Sequence, residues 1–284
     1  MRIFAILCWL LAVSTSVVAQ PAWAASSPAL WPLERQLAVL AASHPADVGV
    51  AALDLKTGEL VSVRGDEPFP MASTVKIAVA ANYLAQVEHG RRSLDDRIGG
   101  RTARSLIEAM MIRSDNQATD ILMRDLGGPK TLQLWLNQQG LSGLRIDRNI
   151  AQLLSSKRDL WDVKDSATPK AMVTLLQKLD SGALLRPQSR SYLLDVMSRC
   201  NTGKNRIRGL LPVQARVENK TGTLSNYTTD VGFITLPDGR RVAVAFFARG
   251  GSNRPRAIAE AARTVYYGFA AALRNSFTTS FSSP

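Results

Sequence analysis

Three short clusters of polar residues carry the chemistry open to this chain of 284 residues. The first is Ser73-Thr74-Val75-Lys76, placed after Phe69-Pro70 and at the start of a helical stretch. A serine hydroxyl becomes a nucleophile when a neighbour takes its proton, and a lysine can do so where its charged form is disfavoured. Residues i and i+3 share a helix face, so the spacing puts Lys76 within reach of the Ser73 hydroxyl. The helix N-terminus adds partial positive charge where an oxyanion would develop. The second cluster, Ser114-Asp115-Asn116, lies between two amphipathic segments. There Ser114 can pass a proton toward a leaving nitrogen and the Asn116 amide can hold a substrate carbonyl. The third, Lys220-Thr221-Gly222, follows an alternating run and is read as the end of a strand. Lys220 supplies charge, Thr221 a hydroxyl, and Gly222 lets a ligand approach the strand edge.

Each cluster also has a plain structural reading. Ser73 suits an N-cap with Lys76 at the surface, and about one Ser-x-x-Lys is expected by chance in a chain of this size. Ser, Asp and Asn all start helices well. A second Lys-Thr-Gly, at Lys56-Thr57-Gly58, sits between two short alternating runs and reads as a hairpin turn. What singles out the other three is their order and setting: serine at a helix start, Ser-Asp-Asn between helices, Lys-Thr-Gly on a late strand. His44 and His89 are the only histidines, which excludes a site built on several imidazoles, so the base must come from elsewhere. No metal or organic cofactor is implied.

The elements that must position these clusters follow from hydrophobic periodicity. Pro32 to Ala42 reads as a helix, and Val48–Leu53 with Leu60–Val63 as a hairpin. Helical stretches follow near Thr74–Glu88, Ala103–Ile112 and Asn116–Leu126, with more up to about Ser198. Alternation returns at Ala215–Asn219 and Asp230–Leu236; Pro237-Asp238-Gly239-Arg240 makes a turn, and Arg241–Ala248 returns. A last helix runs from about Arg256 to Leu273. Strands at both ends with helices between imply one sheet made from the two chain ends and a helical second lobe, with a crevice between them for a small molecule.

Composition fits an ordinary globular chain, with 46% apolar and 20% charged residues, which excludes a disordered, collagen-like or polytopic membrane class. The net charge of +12 is spread in pairs such as Arg91-Arg92 and Arg240-Arg241, with no basic run or aromatic stripe, so nucleic-acid binding is not expected. Arg2, the apolar run Ile3–Val18 and Ala22-Trp23-Ala24 read as a secretory signal peptide over residues 1–25, with no stable membrane anchor. Export to the periplasm or medium follows. Cys8 leaves with that segment and Cys200 remains alone, so no internal disulfide is expected.

With the three motifs in this order, the sequence resembles the penicillin-recognising serine enzymes, and most closely the class A β-lactamases, over roughly Leu33 to Phe269. Arg148 and Asp165 are similar to the ion pair that closes the family's omega loop, and Asp165-Ser-Ala-Thr168-Pro169-Lys-Ala-Met172 to the stretch after it. The resemblance implies an α/β fold of β-lactamase/transpeptidase type: a five-stranded antiparallel sheet flanked by helices, plus an all-helical lobe. It implies catalytic Ser73, Lys76 and Ser114, an oxyanion hole from the Ser73 and Thr223 N–H groups, and a substrate carboxylate held by Arg206, Thr221 and Thr223. Residues 26–65 and 212–274 are then the sheet lobe, 66–211 the helical lobe with an omega-like loop at 148–165, and 275–284 a flexible tail.

Two departures stand against that pattern. The omega loop of the family carries a glutamate that activates the deacylating water; its place here is held by Ile150, and that of a companion asparagine by Leu153 or Leu154. No glutamate lies between Asn149 and Asp165, which leaves Asp159, Asp162 or Lys76 as the base. The interval from Ser73 to Ser114 is also short for the family, implying a more open cleft. Three readings result: a β-lactamase with slow deacylation; a penicillin-binding, peptidase-like or other amide or ester hydrolase acting on a β-lactam or peptidoglycan-like substrate with little β-lactamase turnover; and a non-catalytic binding protein, disfavoured by the intact polar set. Oligomeric state is not readable from the sequence.

Overall fold

A computed structural model describes residues 26–280; the expected signal peptide and residues 281–284 lie outside the described residues. The alternating segments at the two chain ends build one antiparallel sheet. Its strands are β1 (Asp47–Asp54), β2 (Leu60–Val63), β7 (Val217–Leu224), β8 (Tyr227–Thr235) and β9 (Arg241–Arg249), in the order β2-β1-β9-β8-β7. β1 and β9 pair from Asp47↔Arg249 to Asp54↔Val242, so the chain ends are joined in mid-sheet and β7 is left as an edge. Lys56-Thr57-Gly58 is the β1–β2 turn, as expected: Gly58 takes φ +76°, and Asp54 Oδ1 accepts the Lys56 and Thr57 N–H groups.

The helical lobe lies between β2 and β7. It contains β3 (Phe69–Pro70), α2 (Lys76–Glu88), β4 (Arg97–Ile98), β5 (Arg101–Thr102), α3 (Ala103–Ile112), α4 (Asn116–Asp125), α5 (Gly128–Gln138), α6 (Ile150–Ser155), β6 (Ser166–Ala167), α7 (Pro169–Asp180) and α8 (Pro187–Ser198). Strand periodicity sends alternate residues to opposite faces. Ala51, Leu53, Val231, Phe233, Ala245 and Phe247 share a core with the helical lobe. Val50, Ala52, Ile234, Val244 and Phe246 pack with α1 (Trp31–Ser43) and α9 (Arg254–Ser280) on the other face. α2 is apolar nearly all round, and its residues from Lys76 to Ala85 are all buried, as a helix through the middle of a lobe must be. α9 runs to Ser280, so the expected flexible tail from Asn275 is helical backbone that far.

Candidate active site

Ser73 sits in a tight turn, Ala72–Val75, that leads straight into α2. The turn is anchored through one carbonyl: Met71 O accepts the Thr74 hydroxyl at 2.7 Å and the Thr229 hydroxyl of β8 at 3.3 Å. Ala72 is held at φ +48° and Ser114 at φ +59°, left-handed conformations that cost free energy in residues with a Cβ and that gather at functional sites. Gly222 explains how close β7 comes. A methyl group there would overlap Thr229 Oγ1 and stand 2.8 Å from Met71 O and 2.9 Å from Ala72 Cβ. Only glycine lets the strand edge lie against the Ser73 turn.

The two lysines meet at Ser114. Lys76 Nζ donates to Ser114 O at 2.7 Å, Ser114 Oγ at 3.2 Å and Asn116 Oδ1 at 2.7 Å. Lys220 Nζ donates to the same Ser114 Oγ at 2.9 Å and to Thr221 O at 2.7 Å. Both lysines are fully buried. Burial and the charge of Lys220 lower Lys76 to about 7, against the opposing pull of Asp115 and Asp120. Burial lowers Lys220 to about 8. A lysine neutral near neutral pH can accept a proton, which an ordinary one cannot.

Several expectations are corrected in detail. The spacing argument aims Lys76 at the Ser73 hydroxyl, but its three donors are engaged by Ser114 and Asn116; among the described residues no hydrogen bond reaches Ser73 Oγ. Asn116 accordingly spends its carbonyl on Lys76, and its Nδ2 makes no hydrogen bond among the described residues. Lys220-Thr221-Gly222 stands inside β7 rather than at a strand end, because the strand runs on from Val217 through the polar residues of this edge to Leu224. Arg206 is buried behind β7. Its guanidinium donates to Gly222 O at 2.9 Å, Thr229 O at 3.0 Å and Thr223 Oγ1 at 2.6 Å. Thr223 itself is exposed on the edge strand, with its hydroxyl held by Arg206. Thr221 Oγ1 lies 2.5 Å from Thr202 Oγ1.

The loop over residues 148–165 is closed as its sequence implies: Arg148 Nε donates to Asp165 Oδ2 at 2.6 Å, and Asp165 Oδ1 accepts the Asp147 and Arg148 N–H groups. Inside it, Ile150 opens the short helix α6 and is buried with Leu153. Asp162 is drawn into the neck, 3.4 Å from Arg148 Nη2 and 3.7 Å from Arg158 Nε. Burial works to raise its carboxyl, but the Lys164 N–H and the two arginines hold it below its ordinary value, which makes it a poor base. Asp159 Oδ1 accepts the Trp161 N–H, and its carbonyl accepts the Tyr227 hydroxyl. A cavity of about 360 Å³ lies between this loop and the end of β7, lined by Leu153, Leu154, Leu160, Leu224 and Tyr227 among others.

The residue that sequence reading missed is Asp120 on α4. Its two carboxylate oxygens accept the N–H groups of Ile150 at 2.7 Å and Ala151 at 2.9 Å, thereby capping α6 from outside. The available signal was its spacing, one helical turn after Asn116, which places it on the same face as the Ser-Asp-Asn cluster.

The family model described as the β-lactamase enzyme family matches residues 32–269. The carbapenem-hydrolyzing β-lactamase KPC of Klebsiella oxytoca is 31% identical over 223 residues, covering 71% of this chain and 75% of that protein. Among solved structures, an ancestral (GNCA) class A β-lactamase superposes with a TM-score of 0.79 at 35% identity, covering 84% of this chain and 100% of the other. A β-lactamase from Chitinophaga pinensis superposes with a TM-score of 0.78 at 27% identity, over 84% of this chain and 99% of its own.

Proposed function

Because this chain belongs to the class A β-lactamase family, we propose that it is an exported serine hydrolase that opens the β-lactam amide through an acyl-enzyme on Ser73 and releases the product slowly. The observation that carries this reading is the Ser114 hydroxyl shared by Lys76 and Lys220, 3.2 and 2.9 Å away. In the scheme, neutral Lys76 takes the Ser73 proton as Oγ bonds to the carbonyl carbon. The N–H groups of Ser73 and Thr223 hold the oxyanion, and Ser114 delivers its proton to the departing nitrogen as the C–N bond breaks, taking in turn the proton that Lys76 drew from Ser73, so that Lys76 is again neutral. Lys220, Thr221, Thr223 and, behind them, Arg206 bind the substrate carboxylate. In this reading Asn116 Nδ2 donates to the acyl carbonyl, and the leucine-lined cavity by Leu224 takes the acyl group.

Release needs a water and a base. Ile150, Leu153 and Leu154 supply neither a carboxylate nor partners for an ordered water, and Asp162 is committed to Arg148 and Arg158. Of the other two candidates, Asp159 turns its Oδ1 to the Trp161 N–H within its own loop, and Lys76 is taken as the base for the second step. This loop also supports a second reading, a penicillin-binding or peptidase-like acylation with little β-lactamase turnover. Export rests on the sequence of residues 1–25; among the described residues no helix is long and apolar enough to cross a membrane.

Mass spectrometry after incubation with benzylpenicillin, beside a stopped-flow progress curve, tests the proposal. The expected result is rapid gain of one penicillin mass, a burst of about one equivalent of product, and a much slower steady state. A permanent adduct would favour the second reading. No adduct would overturn the acyl-enzyme.

A further inference from the structure

The segment between α8 and β7 packs against the strand that forms the substrate wall. The Asn201 N–H donates to Ile112 O at 3.1 Å and the Arg206 N–H to Gly203 O at 3.0 Å, which fixes the turn between them. The turn comes very close to β7: a methyl group on Gly203 would stand 2.8 Å from Thr221 Cγ2 and 3.0 Å from Arg206 Nε. This approach brings three side chains into a row. The Sγ of Cys200, free and buried, lies 3.4 Å from Thr202 Oγ1, which lies 2.5 Å from Thr221 Oγ1. The row holds three hydrogens and makes two hydrogen bonds, so one hydrogen is left over at one end. Donation from Cys200 through Thr202 to Thr221 leaves it on Thr221; the reverse order leaves it on Cys200.

We propose that Thr202, backed by Cys200, is a positioning residue for substrate anchoring: its hydroxyl donates to Thr221 Oγ1 and so leaves the Thr221 hydrogen for the substrate carboxylate. This rests on the reading of Thr221 as part of the carboxylate anchor. An ionised carboxylate only accepts, so its arrival at Thr221 selects the order that runs from the thiol outward. Thr223, two positions along β7, is served in the same way. Arg206 Nη2 donates to its Oγ1 at 2.6 Å, and because a guanidinium can only donate, the Thr223 hydrogen stays free. Both hydroxyls of the wall thus receive a hydrogen bond from the segment before β7 and keep one to give. For Thr223 the donor is a cation. For Thr221 it is a neutral hydroxyl, whose direction is set by Thr202 and, one step further back, by a thiol. A hydroxyl already held by a fixed donor has less freedom to lose when the substrate binds.

The test is the second-order acylation rate of the full chain with benzylpenicillin and with its methyl ester, read as the ratio of the two. Thr202→Val keeps the shape and removes the hydroxyl. It should lower the preference for the acid by about tenfold, because a hydrogen bond to a charged acceptor is weakened. Thr202→Ser should restore the ratio. Cys200→Ala should lower it by about twofold, the share of one neutral hydrogen bond, whereas Cys200→Ser, which still donates, should not. On a Thr221→Ala background Thr202→Val should move the ratio no further, since effects that pass through a shared partner do not add. A ratio unchanged in Thr202→Val, or one that falls equally with and without the Thr221 hydroxyl, would overturn the proposal and leave Thr202 as packing for its turn. Thr202→Ala is the second arm; if neither variant folds, Thr202 is a folding residue and the proposal fails. A wild type acylated by neither compound would instead sink the underlying site reading.

Discussion

The two rims of the cleft are held by different physics. On one, the Ser73 turn, the Ser114 loop and β7 converge through buried hydrogen bonds: Lys76 and Lys220 are fully buried, and Ala72 and Ser114 are held in left-handed backbone. On the other, residues 148–165 close on ion pairs at the neck, and aliphatic side chains occupy the middle. The charged groups of the second rim serve its own closure: Arg148 and Arg158 face Asp162 and Asp165. The buried polar set thus sits on one rim, while on the other two of the carboxylates, Asp162 and Asp165, are held by arginines. In the proposed scheme both steps therefore draw on the first rim, acylation through Ser73, Lys76 and Ser114 and release through Lys76.

Substitutions that touch the first rim should have the largest effects. Ser73→Ala should abolish labelling by a fluorescent penicillin while leaving the thermal melt nearly unchanged, because the half-buried hydroxyl makes no hydrogen bond among the described residues. Labelling that survives would place the nucleophile elsewhere. Next comes Gly222→Ala. Its methyl would press on Thr229 Oγ1, Met71 O and Ala72 Cβ, and so drive β7 away from the Ser73 turn. A displacement of this kind should slow acylation by about a hundredfold, read by stopped-flow with benzylpenicillin. An unaltered rate would mean that the approach of strand and turn does not matter.

That contrast also explains what the sequence discloses. Contiguous clusters such as Ser73–Lys76 and Ser114–Asn116 carry local patterns, and apolar alternation marks the sheet at both ends. Apolar alternation stops at Asn219, short of the end of β7 at Leu224, because this edge strand carries Lys220, Thr221 and Thr223 where alternation expects apolar residues. Asp120 is not singled out by local pattern, because its partners, Ile150 and Ala151, lie 30 and 31 positions away. Contacts of that separation leave no local periodicity. The aim of Lys76 at Ser114 rather than Ser73 depends on where the α3–α4 loop falls, which i,i+3 spacing does not encode.

Arg206→Ala sharpens the comparison at intermediate size. The guanidinium holds Thr223 Oγ1 and two carbonyls of β7 and β8, so its loss should weaken acylation by carboxylate-bearing β-lactams by about 1–3 kcal/mol. The check is kcat/KM with benzylpenicillin against its methyl ester. An equal loss for both would assign Arg206 to strand packing alone.

The smallest functional effect should come from Asp162→Asn, which separates a structural loop carboxylate from a hidden base. Asp162 lies 3.4 Å from Arg148 and 3.7 Å from Arg158, and its Oδ1 accepts the Lys164 N–H. These partners favour its ionised form, so its carboxylate has little affinity for a proton from water. Asparagine can still accept from Lys164, and Asp165 remains within 3.6 Å of Arg158 and 2.6 Å of Arg148. The neck should weaken by about 1 kcal/mol, seen as a lower melting temperature, because the pairs with Asp162 are long and partly exposed. The slow steady state after the burst should stay within about twofold of the wild type, since a true general base contributes about two to four powers of ten. A burst-free wild type whose high turnover collapses in Asp162→Asn would break the comparison, by placing the missing base on the rim that otherwise spends its charge on itself.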